Sequence, residues 1–150
     1  MATFPNINGV AYDHSSCAVR IDGIIEKRVD SLNYGHGVEG INKQYGTSRQ
    51  PISRTRGQYR PDEVTLVLHL AAWNELRARW GAGFMEKVFD VISEYKEDGE
   101  AFVKDTIKGC KIQHVGKETS QGGEHVTVEL TLDCMYVLEN GIAPMKEFKR

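Results

Sequence analysis

The chain has 150 residues, a formal net charge of -2, 40% hydrophobic and 27% charged residues. That size suits one domain able to bury a sizeable core, and that composition excludes a disordered chain. No apolar run approaches a membrane span, and the start MATFPNINGVAYDHSS lacks the basic and apolar regions of a secretion signal. Cys17, Cys110 and Cys134 are an odd number, far apart, which argues against a disulfide framework. The expectation is one cytoplasmic domain with free thiols.

Taken in chain order, Cys17, Val19 and Ile21 alternate with Ala18, Arg20 and Asp22, which predicts a half-buried strand. Gly23 turns the chain, and IIEKRVDSLNY returns as a second strand of a hairpin. YGHGVEGINKQYG follows, and then RQPISRTRGQYRP, which holds four arginines and no acidic residue. Together they make roughly 25 residues without a period, a length that in a compact domain marks a functional element or disorder. Val64, Leu66, Leu68 and Leu70 then share one face of a strand, with Val67 breaking the alternation. In AAWNELRARWG, Trp73, Leu76 and Trp80 have helical spacing, ended by Gly81 or Gly83. Phe84, Val88, Val91, Ile92 and Tyr95 predict a second amphipathic helix, closed by KEDGE. An irregular strand over about Ala101–Val115 and a long one through Val126–Leu138 finish the chain as a hairpin, joined by GKETSQGGE. Thr127, Glu129, Thr131 and Asp133 form the polar face of that last strand. About 14 residues exceeds an ordinary strand, so it must bend, cross between sheets or extend past the domain. The order predicts an α+β fold: a mainly antiparallel β-sandwich or barrel with a flanking helical region and a long inter-strand loop at about 34–61.

A search for chemistry finds no site. No cysteine pair has C-x-x-C spacing, and His14, His36, His69, His114 and His125 form no H-x-x-x-H pair, so no metal is expected. Asp13, His14, Ser15 and Ser16 hold the residue types of a triad, but sequence neighbours cannot adopt its relay geometry, and a turn is the better reading. Glu94, Glu97, Asp98 and Glu100 read as a solvated helix end. Gly35, Gly37 and Gly40 match G-x-G-x-x-G, yet no apolar-periodic helix follows to cradle a phosphate. No enzyme and no cofactor are expected.

The basic segment admits three readings. Arg49, Arg54, Arg56 and Arg60, interleaved with Tyr45 and Tyr59, suit phosphate contacts and base stacking, as in a small nucleic-acid-binding module. The rest of the chain is acidic and matches no standard nucleic-acid module. The same residues suit a directional protein interface. The third reading is a solvated loop with incidental charge.

The run VAYDHSSCAVRIDG, a return strand ending DSLNYG, then PISRTRGQY, then a strand and a helix beginning AAWNEL resembles the tail tube proteins of long-tailed bacteriophages. These are related in fold to the tube proteins of contractile injection and secretion systems. The resemblance covers about Gly9 to Leu138, and SS-x-x-V-R-I-D-G and ISRTRGQY are its most specific parts. It implies a structural virion protein whose hexameric rings stack into a tube around a channel, which a tape-measure protein and then DNA traverse. The implied partners are further copies of the chain, a tail sheath where the tail contracts, and baseplate or tail-terminator proteins, without membrane insertion. The implied location is the virion tail, assembled in the host bacterial cytoplasm. Tyr34–Pro61 would then be the loop toward the neighbouring ring, with Tyr45, Arg49, Arg54, Arg56, Tyr59 and Arg60 as contact candidates. Thr127, Glu129, Thr131 and Asp133 would face solvent or the lumen. Lys104, Lys108 and Lys111 are more basic than a lumen wall suits. PISRTRGQY favours a contractile tail, and the sequence leaves phage and injection-system tubes both open.

Overall fold

The computed structural model describes residues 17–95, 103–119 and 126–146. The DHSS tetrad, the KEDGE run and most of the connector before the last strands lie outside the described residues.

The first alternation forms β1 (Cys17–Ile21), and β2 (Ile24–Glu26) returns beside it with Ile21 opposite Ile24. Asp22 and Gly23 connect them at φ 53° and 83°. Two left-handed residues in succession make a type I′ turn, whose twist suits a tight hairpin. The expected single return strand is in fact two. The chain changes partner after Arg28, and β3 (Val29–Asn33) pairs across the molecule with the strand that begins at Val64. Arg28 marks the crossing, with its guanidinium held by Glu26 on one side and Glu75 on the other.

After the basic segment, β8 (Val64–His69) buries Val64, Leu66 and Leu68 completely. Leu70, expected as the fourth strand residue, instead opens helix α1 (Leu70–Trp80), which turns Ala72, Trp73 and Leu76 inward. Gly81, at φ 72°, ends it, with its N–H donating to Arg77 O at 2.9 Å. Trp80 Nε1 donates to Asp22 Oδ2 at 3.1 Å, fastening the end of the helix to the first hairpin turn.

The second helix does not form. Phe84–Glu86 is a single 3-10 turn, and Phe89–Tyr95 is a strand, β9. Phe89, Val91 and Ser93 point inward at period two, while Val88 of the expected stripe is 61% exposed. Ser93 at an inward position conceals the alternation. Pairing with two neighbours supplies what the sequence pattern underplays: β1 lies on one side and β10 (Val103–Glu118) on the other.

The long strand that crosses between sheets is β10, not the last one. Its first half pairs with β9 and with β12 (Tyr136–Glu139), and its second half pairs with β11 (Thr127–Asp133). Register shifts fall between Ile107 and Cys110 and between Ile112 and His114, where bulges bend the strand. Gly109 sits at the first of them with φ 67°, and a Cβ there would lie 2.7 Å from Met135 Cγ. The expected continuous strand to Leu138 breaks at Cys134–Met135. The break shifts the inward parity, so Val137 is buried where Tyr136 was expected.

Eight strands thus join in the antiparallel order β2-β1-β9-β10-β11-β8-β3, with β12 added to β10. The path folds over itself at β10 into an α+β sandwich. Val19, Ile21, Val91, Ile107 and Val137 from one half meet Leu66, Leu68, Val128, Leu130 and Leu132 from the other. A polar cluster accompanies this core: Tyr34 donates to Asp105, and its hydroxyl lies 2.7 Å from that of Tyr95. Burial, then the hydrogen bond to Asp105, raises the Tyr34 pKa well above the usual phenol value. Among the described residues, the outer edge of β2 and the far edge of Lys111–Glu118 carry no strand partner.

Candidate assembly surface

Residues 36–61, expected as loop, form a two-stranded arm. β4 (His36–Glu39) pairs with β7 (Gln58–Pro61), and further out β5 (Lys43–Gln44) pairs with β6 (Ser53–Arg54). Between the two ladders Thr55 replaces strand pairing. Its hydroxyl accepts from Asn42 N at 2.8 Å and donates to Gly40 O at 2.9 Å, and its own N–H bonds Asn42 O. Gly57 makes this kink possible at φ 73°, because a Cβ there would meet Glu39 O at 2.6 Å. Of the glycines that mimic a phosphate-binding pattern, Gly37 therefore lies in an arm strand and Gly40 at its kink, with Gly35 just before β4.

Every residue from Gly37 to Arg56 except Ser48 is exposed. Ile41, Tyr45 and Ile52 are 46%, 47% and 67% exposed, a run of apolar surface on a narrow projection. Among the described residues Arg49, Arg54 and Arg56 have no ion-pair partner. Arg60 differs, since its Nη1 lies 2.8 Å from Glu39 Oε2 across the arm. Tyr59 turns to the body: its hydroxyl accepts from Val137 N at 3.0 Å and bonds His36 Nδ1 at 3.0 Å. Burial, the largest influence, raises its pKa. His36 Nε2 also reaches Glu139 at 3.3 Å. The six contact candidates thus divide. Tyr45, Arg49, Arg54 and Arg56 are presented outward, while Tyr59 and Arg60 hold the arm to β12 and to itself.

Where the arm meets the body, Pro61, Asp62 and Glu63 face Asp133 and Met135 across a cleft of about 680 Å³. Asp62, Glu63 and Asp133 are exposed and, among the described residues, make no ion pair. The buried Cys134 lies between them. Burial first, and then the Asp133 and Asp62 carboxylates, push its thiol up to about 11. Sequence reasoning placed Asp133 on a polar strand face but missed Asp62 and Glu63, which sit in a turn whose partner is seventy residues away.

The polar face of β11 lies where its alternation puts it. Thr127, Glu129, Thr131 and Asp133 oppose His69, Val67 and Thr65 of β8 and Glu118, Gly116, His114 and Lys111 of β10, all turned from the core. Lys111 stands beside Asp133 on that face, Lys108 pairs with Asp90 at 3.2 Å on the other half, and Lys104 is exposed opposite Glu94. Among the described residues no group of three His, Cys, Asp or Glu side chains is placed to hold a metal ion. No helix among them is long and apolar enough to cross a membrane.

The fold is similar to that of chains solved from contractile injection systems and of an Hcp protein. Three solved structures illustrate it. A chain of the anti-feeding prophage tube-terminating cap matches with a TM-score of 0.66 at 12% identity, covering 93% of each chain. One from the PVC extracellular contractile injection system sheath–tube complex, in its extended state, matches at 0.65 and 10%, covering 86% of this chain and 90% of that one. Hcp1 from Flavobacterium johnsoniae matches at 0.55 and 13%, covering 83% and 94%. No protein-family model matches the sequence, and no curated protein sequence matches it.

Proposed function

We propose that this chain, as a single tail-tube domain over residues 1–150, is the structural subunit of a bacteriophage tail tube. Hexameric rings stack around a channel for the tape-measure protein and DNA. The carrying observation is the arm: three arginines with no ion-pair partner among the described residues, and exposed Ile41, Tyr45 and Ile52, held on a kinked hairpin well away from the core. Ordering such an arm without a partner costs entropy and returns little burial. A neighbouring copy supplies the missing contact. Among the described residues, the open edges of β2 and of distal β10 support lateral joining of sheets around a ring, where an edge that invites aggregation becomes the interface. Thr127, Glu129, Thr131 and Asp133, with the rest of that polar face, suit a wet wall. The tube role is non-enzymatic. Its partners are a sheath in a contractile tail, the baseplate and the tail terminator, and its location is the virion tail after assembly in the host cytoplasm.

A second reading, the inner tube of a contractile injection or type VI-like secretion system, is favoured by the origin of the similar structures in such systems. The test common to both is sedimentation velocity of the wild type against R54E/R56E. The expected result is large polymers from the wild type and none from the equally folded variant. Polymers of the same size from the variant would remove the arm from the contact.

A further inference from the structure

Resting on the proposed tube role, we infer that the cleft at the base of the arm is the receptor for the arm of a second copy of the same chain. The cleft wall carries Glu39, Asp62, Glu63 and Asp133 against the single guanidinium of Arg60, which Glu39 already neutralises. Three carboxylates, Asp62, Glu63 and Asp133, make no ion pair among the described residues. The arm presents three guanidiniums in the same condition, those of Arg49, Arg54 and Arg56. Apolar surface matches as well. Met135 and Val38 are 67% and 41% exposed at the cleft, and Ile41, Tyr45 and Ile52 are exposed on the arm. Arginine with carboxylate forms directional, paired hydrogen bonds, so a desolvated arm in the cleft gains register as well as attraction.

The contact has to form between chains. Gly37, Val38 and Glu39 of the arm's own base build one wall of the cleft, and the Tyr59 hydroxyl bonded to Val137 N fixes that wall against β12. The arm cannot double back into a cleft that its own root encloses. Counting an extended rise of about 3.3 Å per residue from Arg60, Arg54 and Arg56 lie at most about 20 Å from the cleft and Arg49 at most about 36 Å. A copy displaced along the arm by that order receives the tip of its neighbour. Donor and receptor are different surfaces of one chain, so the contact is head-to-tail, and between copies displaced along one axis it repeats into a filament. Rings are then coupled along the axis by arm and cleft, independently of the sheet edges.

The test is charge exchange. Glu63→Lys with Asp133→Lys changes two exposed side chains outside the core, so the melting temperature should hold. The critical concentration for polymer, read by sedimentation, should rise at least about tenfold, as for loss of close interfacial charge pairs. Combining these changes with Arg54→Glu and Arg56→Glu in one chain should restore much of the lost polymer. Should the lysines lower the melting temperature, the near-isosteric E63Q/D133N pair carries the same measurement. A cleft variant that polymerises like the wild type while R54E/R56E does not overturns this receptor and leaves the tube role standing. A wild type that stays monomeric at every concentration overturns both. A fourfold variant no better than R54E/R56E also rejects the pairing.

Discussion

Gly57→Ala separates the arm from the sandwich. Gly57 holds φ 73°, and a Cβ there would lie 2.6 Å from Glu39 O, 2.8 Å from Val38 Cγ1 and 2.9 Å from Ile41 Cγ1. The left-handed conformation alone strains an alanine by about 1–3 kcal/mol. The clash adds to that, because its nearest atom is a backbone oxygen that no rotamer change can move. The hairpin must therefore open at the Thr55 kink or lose the pairing of Glu39 with Gln58. A strain of about 1–3 kcal/mol reduces the competent population of arms roughly 5- to 150-fold, and the critical concentration for polymer rises in the same proportion. The sandwich hardly registers the change, since residues 37–56 contribute nothing to the buried core. The measurement pairs critical concentration by sedimentation with thermal unfolding by circular dichroism. An unchanged critical concentration would refute the requirement for a shaped arm. A collapse of the melting temperature would refute its independence from the core.

Three further outcomes are expected. Tyr59→Phe removes the acceptor of Val137 N and the partner of His36, at a cost of about 1–3 kcal/mol for the orphaned donor; amide exchange should quicken at Val137 and along β4 and β7, with the rest of the sandwich protected as before. Thr131→Pro falls in β11, between β8 and β10, and removes a ladder donor from a central strand; the purified variant should lose its cooperative unfolding transition. Alkaline pH should destabilise the fold through its thiols. Burial pushes Cys110 up to about 12 and Cys134 up to about 11, so the unfolded chain releases those protons first. Stability is then full below about pH 9 and falls as pH rises toward 11–12, by up to about 1.4 kcal/mol per pH unit per thiol. Melting temperatures measured from pH 8 to 11 should show the decline, and Cys110→Ala should make it shallower, with Cys134 contributing as before.

Much of the sandwich is legible in the sequence because its strands alternate cleanly. Val64, Leu66 and Leu68 and then Val128, Leu130 and Leu132 announce their inward faces, and Trp73 and Leu76 mark α1. β9 is not legible, because Ser93 occupies an inward position and Val91–Ile92 fits a helical stripe as readily as a strand. The arm is opaque for a different reason. Its outer residues, 37–56, are exposed apart from Ser48, so no apolar period exists to betray pairing, and its strands are defined by backbone ladders and the Gly57 kink. The break at Cys134–Met135 is invisible because Tyr136 and Leu138 continue the alternation while tertiary pairing with β10 shifts it by one residue. The arginines that stand out in the sequence prove to be of two kinds, and only the fold separates Arg60, paired within the arm, from Arg49, Arg54 and Arg56.

As proposed, this chain assembles into a tube. Negative-stain electron microscopy of the purified protein across a range of concentrations tests it most directly. Rings giving way to hollow tubes of one uniform width as concentration rises is the predicted result. Small particles of one size at every concentration would contradict it.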